Sequence, residues 1–383
     1  MSRAHGFVPL RDRAADWAMR MAMVREAEQF LYLSTFYFEY DDYGQELLEA
    51  LQDAQDRGVR VALLIDGFGQ RLGGTLMGPD QRVALERALV RLASSGGQVA
   101  HYRPPRWIQQ RVGGGQHVKV QVSEAGRLIL SSGNLTRTSF TKWKEYAVAL
   151  EGAVVPEILA SWKAIGGRLE EGDLRHLQVL ADAHPGDMDM EYGFCNPNLH
   201  QGMLGPWRWR GSNVLTDRMI EMVDAAREEL LISSFYFKPA PPLAEAILRA
   251  ARRGVRIVVH HSHRDALPAT DLAWVAAAVG YPAFLDAGVR VVEHPTGEHS
   301  KIIVVDRRWA AFGSYNFEDP AHDRLAEAML SSRDHRTVRA ALEVFAELEA
   351  APDKVEVTAE TVSAWPAGLK ARVALWGRFK WWL

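Results

Sequence analysis

The chain has 383 residues, enough at roughly 100 to 200 per domain for two globular units. Hydrophobic residues make up 48% and charged residues 24%, ordinary globular usage that excludes a disordered, collagen-like or coiled-coil chain. The net charge of −3, from 45 basic and 48 acidic side chains, lacks the basic excess of a protein that coats nucleic acid. That sum hides a segregation. From residue 365 on there are four basic residues (Lys370, Arg372, Arg378, Lys380) and no acidic one, leaving 41 basic against 48 acidic before it, a net −7.

The one cysteine, Cys195, makes no internal disulfide, so a reducing cytosol is the simpler expectation. The first 21 residues carry Arg11, Asp12, Arg13 and Asp16 and no apolar core of 7 to 15 residues, which does not read as a signal peptide. No apolar run reaches 18 residues, so membrane contact is expected to be peripheral.

In chain order the elements come twice. FLYLSTFYF at 30 to 38 reads as a buried strand, with Phe36 and Tyr37 as core, and returns as LLISSFYF at 230 to 237, with Phe235 and Tyr236. Next, Leu47, Leu48, Leu51 and Ala54 mark an amphipathic helix, mirrored by Leu243, Ile247, Leu248 and Ala251. Gly58 and Gly254 end these helices, and VRVALLI and VRIVVHH resume as strands. Strand, helix and strand predict a right-handed parallel crossover in each copy. A third pair follows, HVKVQVSEAGRLILSSGN at 117 to 134 and HSKIIVVDRRWAAFGSYN at 299 to 316, each with a carboxylate eleven residues past its asparagine, Glu145 and Glu327. The expected division is 1–168 and 213–350 as similar halves, 169–212 as a connecting segment, and 351–383 as a tail. Met188, Met190, Tyr192, Phe194 and Trp207 mark the connector as more than a flexible linker.

On an extended chain, residues two apart project to one face, so His117 with Lys119, and His299 with Lys301, reach one ligand together. Imidazole attacks or transfers a proton near neutral pH, and ammonium holds an anionic oxygen. Ser132 and Asn134, with Ser314 and Asn316, add hydrogen-bond donors for a phosphate. Two such sets facing each other suit a phosphodiester. One histidine attacks phosphorus, and the other protonates the leaving oxygen and then deprotonates the incoming nucleophile. The lysines and donors supply the charge stabilisation, so neither metal nor cofactor is expected.

The two blocks resemble the HxK(x)4D(x)6GSxN signature of the phospholipase D superfamily. The second copy matches it throughout: His299, Lys301, Asp306, Gly313, Ser314, Asn316. The first has Glu124 in place of Asp and Ser131-Ser132-Gly133-Asn134 in place of Gly-Ser-x-Asn. RGVRVALLIDGFGQ at 57 to 70 and KWKEYAVALEGAVV at 142 to 155 look like segments of bacterial cardiolipin synthases, within that superfamily. The resemblance implies an α/β fold of two tandem phospholipase D-like α/β/α sandwich halves, a pseudo-dimer sharing one active site. It implies Glu124 and Asp306 as structural anchors, Glu145 and Glu327 as carboxylates that orient the catalytic imidazoles, and Asp66 and Gly67 near the site. It also implies His117 as nucleophile and His299 as general acid, in phosphatidyl transfer between phospholipids, with phosphatidylglycerol as substrate.

His260, His261 and His263 fall at the end of a strand without a cysteine or acidic cluster at ligand spacing, and read as structural. The tail holds Trp365, Trp376, Phe379, Trp381 and Trp382 among its four cations, the composition of an interfacial anchor on an anionic membrane, with nucleic-acid binding or packing on the protein body as the alternatives. The chain is accordingly expected on the inner face of the cytoplasmic membrane. Two other classes stay open: a hydrolase, either phospholipase or nuclease, with the same histidine chemistry, and a non-catalytic lipid-binding protein whose first motif has drifted. The net −7 outside the tail speaks against nucleic acid.

Overall fold

A computed structural model describes residues 2–208, 211–267, 270–377 and 379. Among these residues one continuous 16-stranded sheet runs through both halves. From one edge its path is Val355–Val357, Arg290–His294, Arg256–Ser262, Glu229–Ser234, Ile302–Val305, Trp309–Gly313, Leu325–Ser332, Met188–Cys195, Ser2–Leu10, Ala147–Glu151, Leu128–Ser131, Val120–Ser123, Phe30–Thr35, Arg60–Asp66 and Gln98–Tyr102. The short strand Gly115–Gln116 pairs off this path with Leu325–Ser332. The order is mirrored about its centre, the structural form of the sequence repeat.

In each half the crossover is parallel. Phe30–Thr35 pairs with Arg60–Asp66 after the helix Asp42–Asp56, and Glu229–Ser234 pairs with Arg256–Ser262 after the helix Pro241–Arg252. Gly58 and Gly254 follow these helices with φ of 94° and 86°, a region in which a Cβ would be strained. The first helix buries Leu47, Leu48, Leu51 and Ala54 as their spacing predicts; the second buries Leu243 and Ile247, while Leu248 and Ala251 are only partly buried and Ala246 and Ala250 face the core instead. The predicted strands end early, at Thr35 and Ser234, so Phe36-Tyr37 and Phe235-Tyr236 leave the sheet.

The connecting segment is part of the core. Its strand Met188–Cys195 lies between Ser2–Leu10 and Leu325–Ser332 and joins the halves, with Met188 and Met190 fully buried. On one face of the sheet a single apolar core runs across the junction, from Phe30 and Trp162 through Met190 to Phe312 and Phe345. On the other, each half keeps its own core, under Leu47 and Leu51 in one and Ile247 and Tyr281 in the other. The shared core makes the two halves one folding unit.

The tail corrects one expectation. Trp365 packs on Trp274 and Tyr281, with ring centroids 5.7 and 6.2 Å apart, and the helix Ala367–Gly377 lies along Leu272–Ala278. Arg372 is ion-paired with Asp271, and Trp376 packs against the second half's core. These residues are held by the protein body because the adjoining helix offers them an apolar face. Phe379 is exposed, while Arg378, Lys380, Trp381 and Trp382 lie outside the described residues. No helix among the described residues is long and apolar enough to cross a membrane.

Candidate active site

His117 and Lys119 stand in the extended stretch just before Val120–Ser123, and His299 and Lys301 in the matching stretch before Ile302–Val305. Each half threads this stretch against the other. The His117 N–H donates to the Ala326 carbonyl at 2.8 Å, and the His299 N–H to the Lys144 carbonyl at 2.8 Å. Both histidines therefore line one cleft of about 300 Å³ where the halves meet.

The carboxylates cross over. Nδ1 of His299 lies 2.8 Å from Oε2 of Glu145, which belongs to the first half. Nδ1 of His117 lies 3.1 Å from Oε1 of Glu327, in the second half, and 2.9 Å from the Ser314 carbonyl oxygen. A carbonyl oxygen only accepts, so His117 carries its proton on Nδ1 and keeps a lone pair on Nε2. Each lysine ammonium donates to the carbonyl of its own histidine, Lys119 at 2.8 Å.

Burial pushes His117 well below the usual imidazole range, aided by the positive charges of Lys119, Lys301 and His299. His299 is likewise lowered by burial, to about 4, although Glu145 pulls upward. Burial lowers Lys119 well below the ordinary ammonium value, and takes Lys301 down to about 8. The two glutamates part company. Burial raises both, but His299, Lys301 and Ser132 outweigh it at Glu145 and hold that carboxyl at about 2. At Glu327 burial wins, with Glu318 adding to it, and the carboxyl is pushed well above its ordinary value. Glu145 is thus held toward its ionised form beside His299, whereas burial pushes Glu327 toward its neutral form beside His117.

The serines stand one step back from where a phosphate-binding role would put them. The Ser132 hydroxyl donates to Oε2 of Glu145 at 2.5 Å and accepts from the Tyr146 N–H at 2.9 Å. Ser314 does the same with Glu327 and the Ala328 N–H. Their hydroxyls are spent on fixing the glutamates, because each serine faces the strand that carries its carboxylate. Asn134 and Asn316 do line the cleft, and the Oδ1 atom of each is buried without a partner. Glu124 and Asp306 lie away from it and anchor the chain. Asp306 accepts from the N–H groups of Arg227, Glu228 and Glu229 at 2.8 to 2.9 Å; Glu124 accepts from Glu28 at 2.8 Å and Phe30 at 3.4 Å. The longer Glu fits the same place with two donors in place of three.

The other departure in the first motif has a steric cause. At Gly313 a Cβ would lie 2.2 Å from the Ala328 carbonyl oxygen, so that position holds only glycine, whereas Ser131 uses its hydroxyl to accept from the Gly133 N–H at 2.9 Å. Gly313→Ser is expected to destabilise the fold by about 3 kcal/mol or more by overpacking against backbone. Chemical denaturation measures it.

Aromatic walls were not legible as such. Phe36 meets the His117 ring edge-on at 4.8 Å, Phe235 meets His299 at 4.4 Å, and Trp143 stacks on His299 at 4.8 Å and 23°. Phe36, Tyr37, Phe235 and Tyr236, read from the sequence as core, line the cleft because their strands end just before them. Trp143 reaches its place through Gly297, where φ is 104° and a Cβ would lie 2.2 Å from the indole. Asp66, behind the site, accepts from the N–H of Gln116 at 2.8 Å and of Gly69 at 2.6 Å, fixing the residue before His117. Burial raises Asp66 to about 7.

A second group of histidines lies elsewhere. His260 Nδ1 is 3.0 Å from His294 Nε2, and His261 meets the Tyr281 hydroxyl at 2.9 Å. No group of three or more His, Cys, Asp and Glu side chains among the described residues is placed to hold a metal ion. Burial lowers His260 to about 4 and His294 to about 3. Below pH 6.5 the unfolded chain takes up protons that these folded histidines refuse, so stability is lost as pH falls from 6.5 toward 4, at up to about 1.4 kcal/mol per proton per pH unit. The melting temperature is expected to fall across that window, and His294→Gln to flatten the fall.

A protein-family model described as cardiolipin synthase, PLD-like domain, matches residues 21–164 and 219–349. The chain is 27% identical over 308 residues to cardiolipin synthase B of Escherichia coli (strain K12), a match covering 77% of this chain and 68% of that protein. It is 23% identical over 316 residues to a cardiolipin synthase of Clostridium perfringens (strain SM101 / Type A), covering 77% and 60%. Among solved structures, the phosphatidylserine synthase of Haemophilus influenzae Rd KW20 shares the fold, with a TM-score of 0.69 at 15% identity over 98% of this chain and 93% of that one. The two matched stretches take in both histidine blocks and both crossed glutamates, and the chain belongs to the phospholipase D-like cardiolipin synthase domain family.

Proposed function

We propose that the protein is a phosphatidyltransferase of the cardiolipin synthase type, joining two phosphatidylglycerol molecules through a phosphohistidine. The observation that carries this reading is the crossed pair of histidines: two imidazoles on one cleft, each with Nδ1 held from the opposite half and Nε2 left for chemistry. His117 Nε2 attacks the phosphorus of the first lipid. The bond to the glycerol headgroup breaks, and its oxygen takes a proton from His299, releasing glycerol and leaving the phosphatidyl group on His117. A headgroup hydroxyl of the second lipid then gives its proton to His299 and attacks the same phosphorus. Cardiolipin forms and His117 is freed.

Several features support these roles. The Ser314 carbonyl keeps the His117 lone pair on Nε2, as a nucleophile needs. The ionised Glu145 supplies the counter-charge that an imidazolium at His299 needs. An anionic phosphodiester entering the site adds negative charge beside Lys119, Lys301 and His299, restoring the charged forms that burial suppresses. The unpartnered Oδ1 atoms of Asn134 and Asn316 can accept from a headgroup hydroxyl, and the aromatic and leucine walls suit acyl glycerol and limit water, favouring an alcohol as acceptor.

Incubating pure protein with labelled phosphatidylglycerol is expected to give cardiolipin and glycerol in equal amounts. Phosphatidic acid alone, or cut DNA in a parallel reaction, would place the protein among the hydrolases, and no turnover would make it a binding protein. The tail from residue 378 on is carried as a lipid-facing element at the inner face of the cytoplasmic membrane, on the strength of its Arg378, Lys380, Trp381 and Trp382.

A further inference from the structure

We infer that the surface formed by the helix Trp107–Arg111 and the connecting segment around 199–207 is a docking face for an anionic phospholipid membrane. It stands at the mouth of the cleft and is separate from the C-terminal tail. The inference rests on the lipid substrate proposed above and adds the place where the enzyme meets the bilayer.

This surface exposes apolar side chains that the fold does not use. Trp107 is 71% exposed and Met203 89%, and Leu199 and Leu204 are half exposed. The backbone beneath them is rigidly tied. Gln109 Nε2 donates to the Asn198 carbonyl at 2.8 Å and to Oε1 of Gln201 at 3.0 Å, and Gly205 packs under Ile108. Asn198 Nδ2 donates to the carbonyls of Gly115 at 3.2 Å and Arg324 at 2.7 Å, the two chains that pair beside His117. A frayed loop shows its apolar residues for want of anything to hold it. Here a buried amide network holds the segment in place, and its large apolar side chains still point outward.

The charge around them fits a negative surface. Arg103, Arg106 and Arg111 flank Trp107 in sequence, and no acidic residue falls between Glu86 and Glu124 or between Glu191 and Asp217. Arg103 and Arg111 are exposed and Arg106 half-buried beside Trp107, and none of the three is in an ion pair among the described residues. Aromatic and apolar tips among unpaired cations are the composition of an interfacial membrane contact, in which the tips enter the headgroup layer and the cations meet lipid phosphates.

The position fits the substrate. The helix runs directly into Val112 and Gly113, which line the cleft together with half-exposed Leu72. A lipid drawn from a bilayer under Trp107 travels only the depth of the cleft rim to reach His117.

The test compares sedimentation of the full chain with vesicles of equal phosphatidylglycerol and phosphatidylcholine and with vesicles of phosphatidylcholine alone. Trp107→Ser/Met203→Ser/Leu204→Ser is expected to weaken binding to the anionic vesicles at least tenfold. Its turnover of dihexanoyl phosphatidylglycerol, held below its micelle concentration, should stay within twofold of the unaltered protein, which also shows that the variant is folded. Arg103→Gln/Arg106→Gln/Arg111→Gln is expected to remove the preference for anionic vesicles. The inference is overturned if the first variant sediments as the unaltered protein does, or if truncation after Gly377 alone removes all vesicle binding. It is equally overturned if the unaltered protein ignores vesicles and the substitutions instead dissociate a dimer, since the face would then join two copies. Vesicle binding that responds to the substitutions in a protein without turnover of the soluble lipid would leave the docking face standing and remove the proposed activity.

Discussion

Replacing His117 by alanine is expected to abolish the covalent phosphatidyl adduct and to lower turnover on the order of 10⁴-fold, whereas His299→Ala separates the two half-reactions. With phosphatidylglycerol, whose glycerol leaves poorly without a proton, His299→Ala should also lose on the order of 10²- to 10⁴-fold. With a phosphatidyl ester of p-nitrophenol, a leaving group that needs no proton, His299→Ala should still form the adduct and release one equivalent of nitrophenol in a burst. The adduct then persists, because nothing deprotonates the acceptor. Acid-quench trapping of lipid labelled at phosphorus reads both outcomes. Adduct in His117→Ala, or a burst from His117→Ala and none from His299→Ala, would reverse the two roles. The prediction follows from the partners of each Nδ1: a backbone carbonyl and a carboxyl that burial pushes toward its neutral form at His117 suit a lone-pair nucleophile, and an ionised carboxylate at His299 suits a group that must carry charge.

Much of this site was legible in the sequence, because the chemistry is written twice at one spacing and side-chain alternation fixes which residues share a face. The paired histidines and lysines needed no tertiary information. What stayed hidden belongs to contacts between the halves. The crossing of Glu145 to His299 and of Glu327 to His117 depends on each motif lying beside the other half's strand, a relation that leaves no trace in spacing along one chain. The serines were misjudged for a similar reason: a serine near a phosphate site has the same local sequence whether it meets phosphate or, as Ser132 does, the carboxylate behind it. Phe36 and Phe235 read as core because their runs are apolar throughout, and only the end of the strand one residue earlier turns them toward the cleft. The connecting segment reads as more than a linker but not as a strand, because its glycines and prolines mask Met188–Cys195, whose partners are 132 or more residues away.

Glu145→Gln and Glu327→Gln, equivalent by sequence, are expected to differ. Glu145 is ionised at neutral pH, so an amide there removes the counter-charge of the imidazolium that His299 becomes. His299 acts as an acid in its protonated form, so activity falls as pH rises through its apparent pKa. Without the carboxylate that pKa is lower. The alkaline limb of the pH profile should therefore move to lower pH, with turnover at neutral pH down about 10²-fold. Burial pushes Glu327 toward its neutral form, and an amide of the same shape gives His117 a neutral partner. Its replacement should cost less than about tenfold and leave the alkaline limb in place. Rate profiles from pH 5 to 9 on soluble short-chain phosphatidylglycerol distinguish the two. Equal losses would mean that the site is functionally symmetric and that either histidine can serve as nucleophile. A larger loss at Glu327 would put the positive charge on His117, and the direction of the reaction through the cleft would then run the other way.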